Sequence, residues 1–157
     1  MSESAGRKYT LQELGELESL DVDALRSMFT LELSGETFYN ALAERVANEQ
    51  AAELLRRNGR EEAGHARRIE RAIAIKLGQP FTPTADELER PRVQLPEHVG
   101  ADLLGVIVQA EFDGDAGYQR WADNEDLPEV ERLLRLNGRE ETIHGRRVEQ
   151  AIALMHE

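Results

Sequence analysis

Hydrophobic residues in the first third of the chain recur at steps of three, four and seven residues, which is the period of one helix face. The positions on this face are Leu25, Met28, Glu32, Tyr39 and Val46. One glutamate therefore interrupts an otherwise apolar stripe. Side chains at this spacing share one side of a helix, so we predict a long amphipathic helix that directs this carboxylate into the core.

A second helix is predicted from the same period in Leu55, Glu62, His65, Ile69 and Ile73. An Asn-Gly dipeptide at 58–59 resembles a turn signal within this stretch. The apolar phase continues through it, so we predict an unbroken helix. Since a glycine inside a helix costs about 1 kcal/mol, it indicates a site where another helix approaches closely.

The pattern occurs twice. Residues 54–74 and 133–153 align at an offset of 79 without a gap, and 15 of 21 positions are identical. The same offset relates several pairs upstream: Glu32 and Glu111, Gly35 and Gly114, Glu36 and Asp115, Tyr39 and Tyr118, Ala43 and Ala122. We therefore predict a tandem duplication of a helical hairpin of about 55 residues.

The duplication predicts one domain over residues 1–157, with repeat 1 at about 22–77, a linker at 78–97 and repeat 2 at about 101–156. The linker holds four of the five prolines and cannot form a long helix. If extended, its 20 residues reach about 66 Å, against about 38 Å for a 25-residue helix. It can therefore run the length of the bundle, which permits a parallel second and third helix.

Local signals place the ends of the helices. We predict that Gly78, followed by a proline, stops the second helix, and that the first hairpin turns near Asn48. In the second hairpin Asp126 is expected to cap the helix start, with Pro128 in its first turn. Residues 10–20 are predicted to form a short extra helix.

Composition excludes several classes of function. There is no cysteine, which excludes disulfides, iron–sulfur clusters and thiol catalysis. The net charge of -12 argues against nucleic acid or an anionic membrane as a partner. No apolar run approaches a membrane span, and the N-terminal MSESAGRKYT lacks the apolar stretch of a signal peptide, so a cytoplasmic protein is expected.

Two Glu-x-x-His motifs, at residues 62–65 and 141–144, each place a carboxylate and an imidazole one turn apart on an apolar face. The helix between Glu32 and the hairpin turn is roughly 24 Å long, and the helix between the turn and Glu62 is roughly 20 Å long. The two glutamates are therefore expected at nearly the same height in the bundle. Two hairpins together then bring four glutamates and two histidines into the core of a four-helix bundle.

Four buried carboxylates require compensation, because an unpaired buried charge costs several kcal/mol. Two divalent cations would bring four positive charges against four negative ones. In this interpretation Glu62 and Glu141 bridge the two metals, while Glu32 and Glu111 are terminal ligands. The two remaining ligands, His65 and His144, would each give one nitrogen to one metal.

Further polar residues lie near this constellation. Tyr39 and Tyr118 follow Glu32 and Glu111 by seven residues on the same face, either as core aromatics or as hydroxyls bonded to a ligand carboxylate. Glu36 and Asp115 are interpreted as solvated carboxylates or carboxylates on the path of incoming metal. The remaining acidic and histidine side chains are expected at the surface: Glu61, Glu140, His98 and His156.

These residues resemble the ferritin-like superfamily, and within it the rubrerythrin-like and bacterioferritin-like di-iron proteins, over residues 22–155. The resemblance implies an all-α, ferritin-like four-helix bundle with one long crossover. The spacing of 30 residues between the two glutamates of each hairpin is closest to encapsulated ferritin-like hairpins, here fused in tandem. Carried over by resemblance, the iron ligands are Glu32, Glu62, His65, Glu111, Glu141 and His144.

The resemblance also implies cofactor and partners, namely two iron ions that react with O2 or H2O2. Manganese or a mixed-metal site stays open, since both metals accept carboxylate and imidazole. Rubrerythrins proper carry a four-cysteine rubredoxin domain, so an electron donor here must be external. Their third helix often supplies one more glutamate, whereas this chain has Gly114.

Several functions remain open at this point. The resemblance favours a di-iron oxidoreductase, either a ferroxidase or a peroxide reductase. The alternatives are an iron storage or binding bundle, a di-iron oxygenase of an organic substrate, and a structural bundle. Storage is disfavoured because only about a dozen residues follow His144, too few for the fifth helix of cage ferritins. Homodimerisation is left open.

Overall fold

The fold is all-α, as predicted. A computed structural model of the chain describes residues 6–90 and 92–156, so part of the N-terminal stretch and Pro91 of the linker lie outside it. Within the described residues there are six helices and no strand. They are α1 (Leu11–Glu16), α2 (Val22–Ala43), α3 (Glu49–Leu77), α4 (Ala85–Leu88), α5 (Ala101–Asp123) and α6 (Pro128–Met155).

The helix ends follow the capping chemistry of the sequence at most positions. The side chains of Asp21 and Asn48 accept hydrogen bonds from backbone N–H groups in the first turns of α2 and α3. Gly78 ends α3 in the left-handed conformation at φ 68°, which glycine adopts without steric cost. The predicted stop at this glycine and the predicted turn near Asn48 are both confirmed.

The predicted cap of the last helix is wrong. The N-cap of α6 is Leu127, without a side-chain hydrogen bond, and Asp126 lies one position outside it. Pro128 occupies the first helical position, as expected, because its fixed φ suits that position and it has no N–H to satisfy. The backbone N–H of Leu127 donates instead to the carboxylate of Glu125 at 3.0 Å.

The two long hairpins, α2 with α3 and α5 with α6, form the bundle, and they join along α3 and α6. Contacts between these two helices pair Asn48 with Leu154, Asn58 with His144 and Arg71 with Glu129. Rising numbers on one helix meet falling numbers on the other, so α3 and α6 are antiparallel. It follows that α3 and α5 run parallel, which requires the single long crossover that was predicted.

The crossover lies along α2. Near one end of α2, the carboxylate of Glu87 in α4 accepts two hydrogen bonds of 2.7 Å from Arg26. The hydroxyl of Thr30 donates to the carbonyl of Glu87. Beyond the far end, the N–H of Val99 donates to the carbonyl of Arg45 at 3.0 Å. The proline-rich segment thus spans the bundle, and no described helix in it is longer than α4.

The core consists of two apolar clusters towards opposite ends of the bundle. One contains Leu25, Ile69 and Leu134, and the other contains Leu42, Leu104 and Val148. The glutamates and histidines of the two motifs lie at the levels between them. Within the described residues, no helix combines the length and apolar character needed to cross a membrane.

Both Asn-Gly dipeptides lie inside unbroken helices, which confirms the interpretation made from the apolar phase. A Cβ atom on Gly59 would lie 3.3 Å from the Cβ of Tyr39. One on Gly138 would lie 2.9 Å from the Cβ of Tyr118. These distances are short for carbon atoms, so the glycines allow close packing within each hairpin.

Candidate metal centre

All six predicted ligands are buried at the middle of the bundle. α2 and α5 each contribute one glutamate, and α3 and α6 each contribute one Glu-x-x-His motif. No member exposes more than 8% of its surface, and both histidines expose 0%. The six residues are Glu32, Glu62, His65, Glu111, Glu141 and His144.

The two motifs form the centre of the cluster. One ligand atom from each of Glu62, His65, Glu141 and His144 lies within 4.8 Å of all the others. The Nδ1 atom of His65 is 2.7 Å from Glu141 Oε1, and the Nδ1 atom of His144 is 3.1 Å from Glu62 Oε1. The two imidazole rings stack with centroids 5.1 Å apart. Both histidines therefore turn Nδ1 towards the carboxylates.

Glu62 lies between the two histidines. Its Oε1 atom faces Nδ1 of His144 at 3.1 Å, and its Oε2 atom lies 3.5 Å from Nδ1 of His65. A carboxylate with one oxygen towards each imidazole is placed to bridge two metal ions, one beside each histidine. This arrangement is consistent with the bridging role predicted for Glu62.

The glutamates of α2 and α5 flank this centre and are held by tyrosines. The carboxylate of Glu32 lies 3.3 Å from Nδ1 of His65. Tyr118 donates its hydroxyl proton to Glu32, and Tyr39 donates to Glu111. Each tyrosine therefore binds the glutamate of the other repeat. Of the two interpretations left open for the tyrosines, the geometry favours the hydroxyl that orients a ligand carboxylate.

Burial and mutual repulsion dominate the electrostatics of the carboxylates. Burial and the charge of Glu62 raise the pKa of Glu141 to about 7, and burial and the neighbouring Glu141 raise that of Glu111 to about 10. Burial and the charge of Glu32 also raise the pKa of Glu62. Burial is also the largest single effect on Glu32, but hydrogen bonds to His65, Glu62 and Tyr118, together with the charge of His65, outweigh it and lower this pKa to about 2. The cluster needs positive charge or protons to stay buried.

Two buried side-chain atoms, one nitrogen and one oxygen, lack a hydrogen-bond partner among the described residues, and both belong to this cluster. They are Nδ1 of His65 and Oε1 of Glu141, which lie 2.7 Å apart without hydrogen-bond geometry. Both atoms are of the types that coordinate metals, and buried polar atoms of this kind are otherwise satisfied. Four carboxylates and two imidazoles facing one another therefore fit a binuclear metal site.

Two glycines leave room for the central carboxylates. A Cβ atom on Gly35 would lie 3.1 Å from the carboxyl carbon of Glu62, and one on Gly114 would lie 3.2 Å from Oε2 of Glu141. Gly114 stands where rubrerythrins often have an additional glutamate, and the nearness of Glu141 explains why a larger side chain does not fit there.

The expectation that Glu61 and Glu140 are surface charges is wrong. Glu140 Oε2 lies 2.9 Å from Nε2 of His65, and Glu61 Oε2 lies 3.0 Å from Nε2 of His144. Both are only partly exposed. Two features of the sequence could have indicated a role for these glutamates. Both are repeated at the offset of 79, and an arginine follows each histidine by three residues.

Other predicted residues stay outside the cluster. Asp115 accepts a hydrogen bond of 2.6 Å from the hydroxyl of Thr142, and Glu36 lies 3.4 Å from Arg90. The role of these two carboxylates on a path for metal remains a prediction. His98 and His156 are exposed, as expected.

Comparison with known proteins gives one finding. Residues 23–94 match the family model described as Rubrerythrin. The matched segment covers nearly all of α2, the whole of α3 and most of the crossover, and it includes Glu32, Glu62 and His65. No curated protein and no solved structure gives a significant match.

Proposed function

We propose that the buried centre of this ferritin-like bundle, whose residues 23–94 match the Rubrerythrin family model, binds two iron ions and oxidises Fe²⁺ with O2 or H2O2. The observation that carries this proposal is the cluster of four carboxylates and two imidazoles, with the oxygens of Glu62 turned towards different histidines. Bound iron would supply the two electrons that an oxidant of this kind takes up.

The protein's own contribution is charge and position. Four carboxylates would balance the charge of two divalent cations, and His65 and His144 would each offer one Nδ1 atom to them. Tyr39 and Tyr118 hold Glu111 and Glu32 towards the centre by hydrogen bonds from their hydroxyls. The apolar clusters on both sides limit access of water.

The electron donor in this proposal is a separate molecule, because a chain without cysteine cannot build a rubredoxin-type iron site. The ligand set also accepts Mn²⁺. Metal content of protein purified from iron-replete and manganese-replete cells separates these two options. Retention of manganese in iron-replete cells would contradict the iron assignment.

The test of function is the rate of Fe²⁺ oxidation by O2 and, separately, by H2O2, with two iron ions supplied per chain. We expect His65→Ala and His144→Ala to abolish rapid oxidation to a similar extent, because each removes one ligand of one metal. The exposed His98 gives the matched control, and His98→Ala should leave the rate unchanged. Glu62→Ala should be slower than Glu32→Ala, since a bridging ligand serves both metals.

The choice of oxidant separates the two forms of the proposal. A faster reaction with H2O2 favours a rubrerythrin-like peroxide reductase, and a faster one with O2 favours a ferroxidase. If the wild-type protein reacts no faster than the double histidine variant with either oxidant, the oxidoreductase proposal is wrong. The site would then serve iron binding or storage, or a purely structural role.

A further inference from the structure

The charge of the bundle is divided between its two helix pairs. α3 and α6 hold twelve arginine and lysine residues against ten glutamates, and two of those glutamates, Glu62 and Glu141, are buried in the cluster. α2 and α5 hold two arginines against eight acidic residues, and two of those, Glu32 and Glu111, are buried in the cluster. Without the buried glutamates, α3 and α6 therefore carry a surplus of four positive charges, in a chain whose net charge is -12.

Four exposed arginines outline the outer surface of the α3–α6 pair. They are Arg60 and Arg67 on α3, and Arg139 and Arg146 on α6. The two arginines of each helix are seven residues apart, so they lie on the same side of that helix. Arg60 lies 2.8 Å from Glu53, whereas the other three make no ion pair with any described residue. The surface between these four arginines, named the arginine face, thus presents positive charge that the chain itself does not neutralise.

A glycine and an exposed isoleucine lie between the arginines. Gly64 on α3 and Ile143 on α6 are each about one helical turn from both arginines of their helix. A Cβ atom on Gly64 would meet nothing nearer than the guanidinium of Arg67 at 3.7 Å, and Ile143 exposes 44% of its surface. No contact among the described residues requires a glycine here, although glycine is unfavourable inside a helix. The glycine lets a partner approach the backbone of α3 closely.

The arginine face lies beside the histidines of the centre. Gly64 and Ile143 immediately precede these two histidines in the sequence. Nε2 of each histidine lies 2.9 or 3.0 Å from a carboxylate, Glu140 or Glu61, and the side chains of these glutamates are 27% and 31% exposed. A molecule bound on this face therefore reaches carboxylates that contact both imidazoles.

We propose that the arginine face is the docking site of a small acidic electron-carrier protein. The inference rests on the proposed function, which needs an external donor. The carrier gives up two electrons in two steps, and each electron reduces one Fe³⁺ to Fe²⁺. Opposite charge guides an acidic carrier to this face, whereas the negative surplus of α2 and α5 repels it from the other side of the bundle.

Binding is measured with two acidic carriers, a plant-type ferredoxin and a flavodoxin, and with a basic cytochrome c for comparison. Calorimetric titration of the purified protein gives the affinity, and amide NMR of the Zn²⁺-loaded protein maps the surface. With the acidic carriers we expect shifted amides on the exposed side of α3 and α6, and an affinity that falls as salt screens the charges. Failure of both acidic carriers to bind, or equal binding of cytochrome c, would overturn the proposal.

Charge-reversal variants locate the site. Arg67→Glu and Arg146→Glu each change one helix of the arginine face, and Arg92→Glu makes the same change at an exposed position of the crossover. We expect the first two to bind the acidic carriers about 3–10-fold more weakly, and the control to match wild type. Ile143→Ser should also weaken binding, whereas Val106→Ser, at an exposed valine of α5, should not. Equal losses in test and control variants would show that docking occurs elsewhere.

The outcomes separate this inference from the proposed function. Protein that binds the carriers on the arginine face but does not oxidise Fe²⁺ would contradict the proposed function and leave the docking site standing. Protein that oxidises Fe²⁺ but binds neither carrier would overturn the docking site alone. Self-association that Arg67→Glu abolishes would assign the face to a second copy of the chain, and tighter binding of a DNA duplex would assign it to nucleic acid. Either assignment would overturn the proposal.

Discussion

The smallest features with consequences for the centre are the two glycines opposite its central carboxylates. A methyl group on Gly35 or Gly114 would lie 3.1–3.2 Å from the carboxylates of Glu62 and Glu141. Elsewhere in a helix, alanine is favoured over glycine by about 1 kcal/mol. At these two positions, replacing glycine by alanine would raise the helix propensity but would also displace the carboxylate of Glu62 or Glu141.

We predict that Gly35→Ala and Gly114→Ala weaken metal binding by displacing a carboxylate, while leaving the metal-free protein about as stable as wild type. Gly105→Ala is the matched control on α5, because nothing lies within 4 Å of its Cβ position. That control should gain stability, up to about 1 kcal/mol. Chelator competition and thermal unfolding measure the two effects. Equal metal affinity in all three variants would contradict the steric role.

The tyrosine hydroxyls give a second prediction at this scale. Tyr39→Phe and Tyr118→Phe each leave a buried carboxylate without its donor, which should cost about 1–3 kcal/mol in the metal-free protein. Bound cations compensate the same carboxylates, so the loss should be smaller with metal. Denaturant unfolding with and without Zn²⁺ measures both values. Tyr9→Phe, on a partly buried ring outside the centre, should change neither.

At the scale of helices, the sequence predicts what depends on one helix and misses what depends on two. The apolar period located the long helices and directed Glu32, Glu62 and His65 inwards. The same period predicted that Glu61 lies at the surface. In α3 considered alone, this position lies beside the buried apolar stripe and is expected to face solvent. Contact with His144 arises only from the packing of α3 against α6. The six ligands themselves could be predicted from the sequence, because the second repeat carries the same glutamate and the same Glu-x-x-His motif as the first.

The crossover provides a prediction about an element that carries no ligand. Glu87→Ala removes the carboxylate that accepts two hydrogen bonds from Arg26 and should loosen residues 78–97 from α2. We expect faster cleavage of this segment in limited proteolysis, with unchanged metal affinity, because none of the six ligands lies in it. The exposed Glu89 in the same segment serves as the control through Glu89→Ala. Weaker metal binding by Glu87→Ala would indicate that the crossover helps to position the site.

On the scale of the whole molecule, the centre opposes folding unless its charge is compensated. Four glutamates lie between two apolar clusters, and three of them have a raised pKa. A raised pKa in the folded state means that stability is present at low pH and is lost as pH rises towards that pKa. Between pH 5 and 8 the folded, metal-free protein should therefore lose stability with increasing pH.

Chelation should consequently lower the melting temperature more at pH 8 than at pH 5. Glu141, with its pKa raised from 4.5 to about 7, accounts for about 3 kcal/mol over this range. Glu62 and Glu111 act in the same direction, whereas the lowered pKa of His144 opposes them below pH 6.5. Since 1 kcal/mol shifts the melting temperature by about 2–4 °C, about 3 kcal/mol corresponds to an added loss of about 6–12 °C. Calorimetry with and without chelator measures it, and a pH-independent difference would contradict a buried site.

The covalent joining of the two hairpins has a consequence for how this protein can evolve. In a centre made by two identical chains, every mutation appears on both sides of the axis. Here the halves are encoded separately, so one can change while the other keeps its residue. Differences are already present in Glu36 against Asp115 and in Gly64 against Ile143. Selection can therefore give the two sides of one centre different affinities or different access, which a symmetric dimer cannot do.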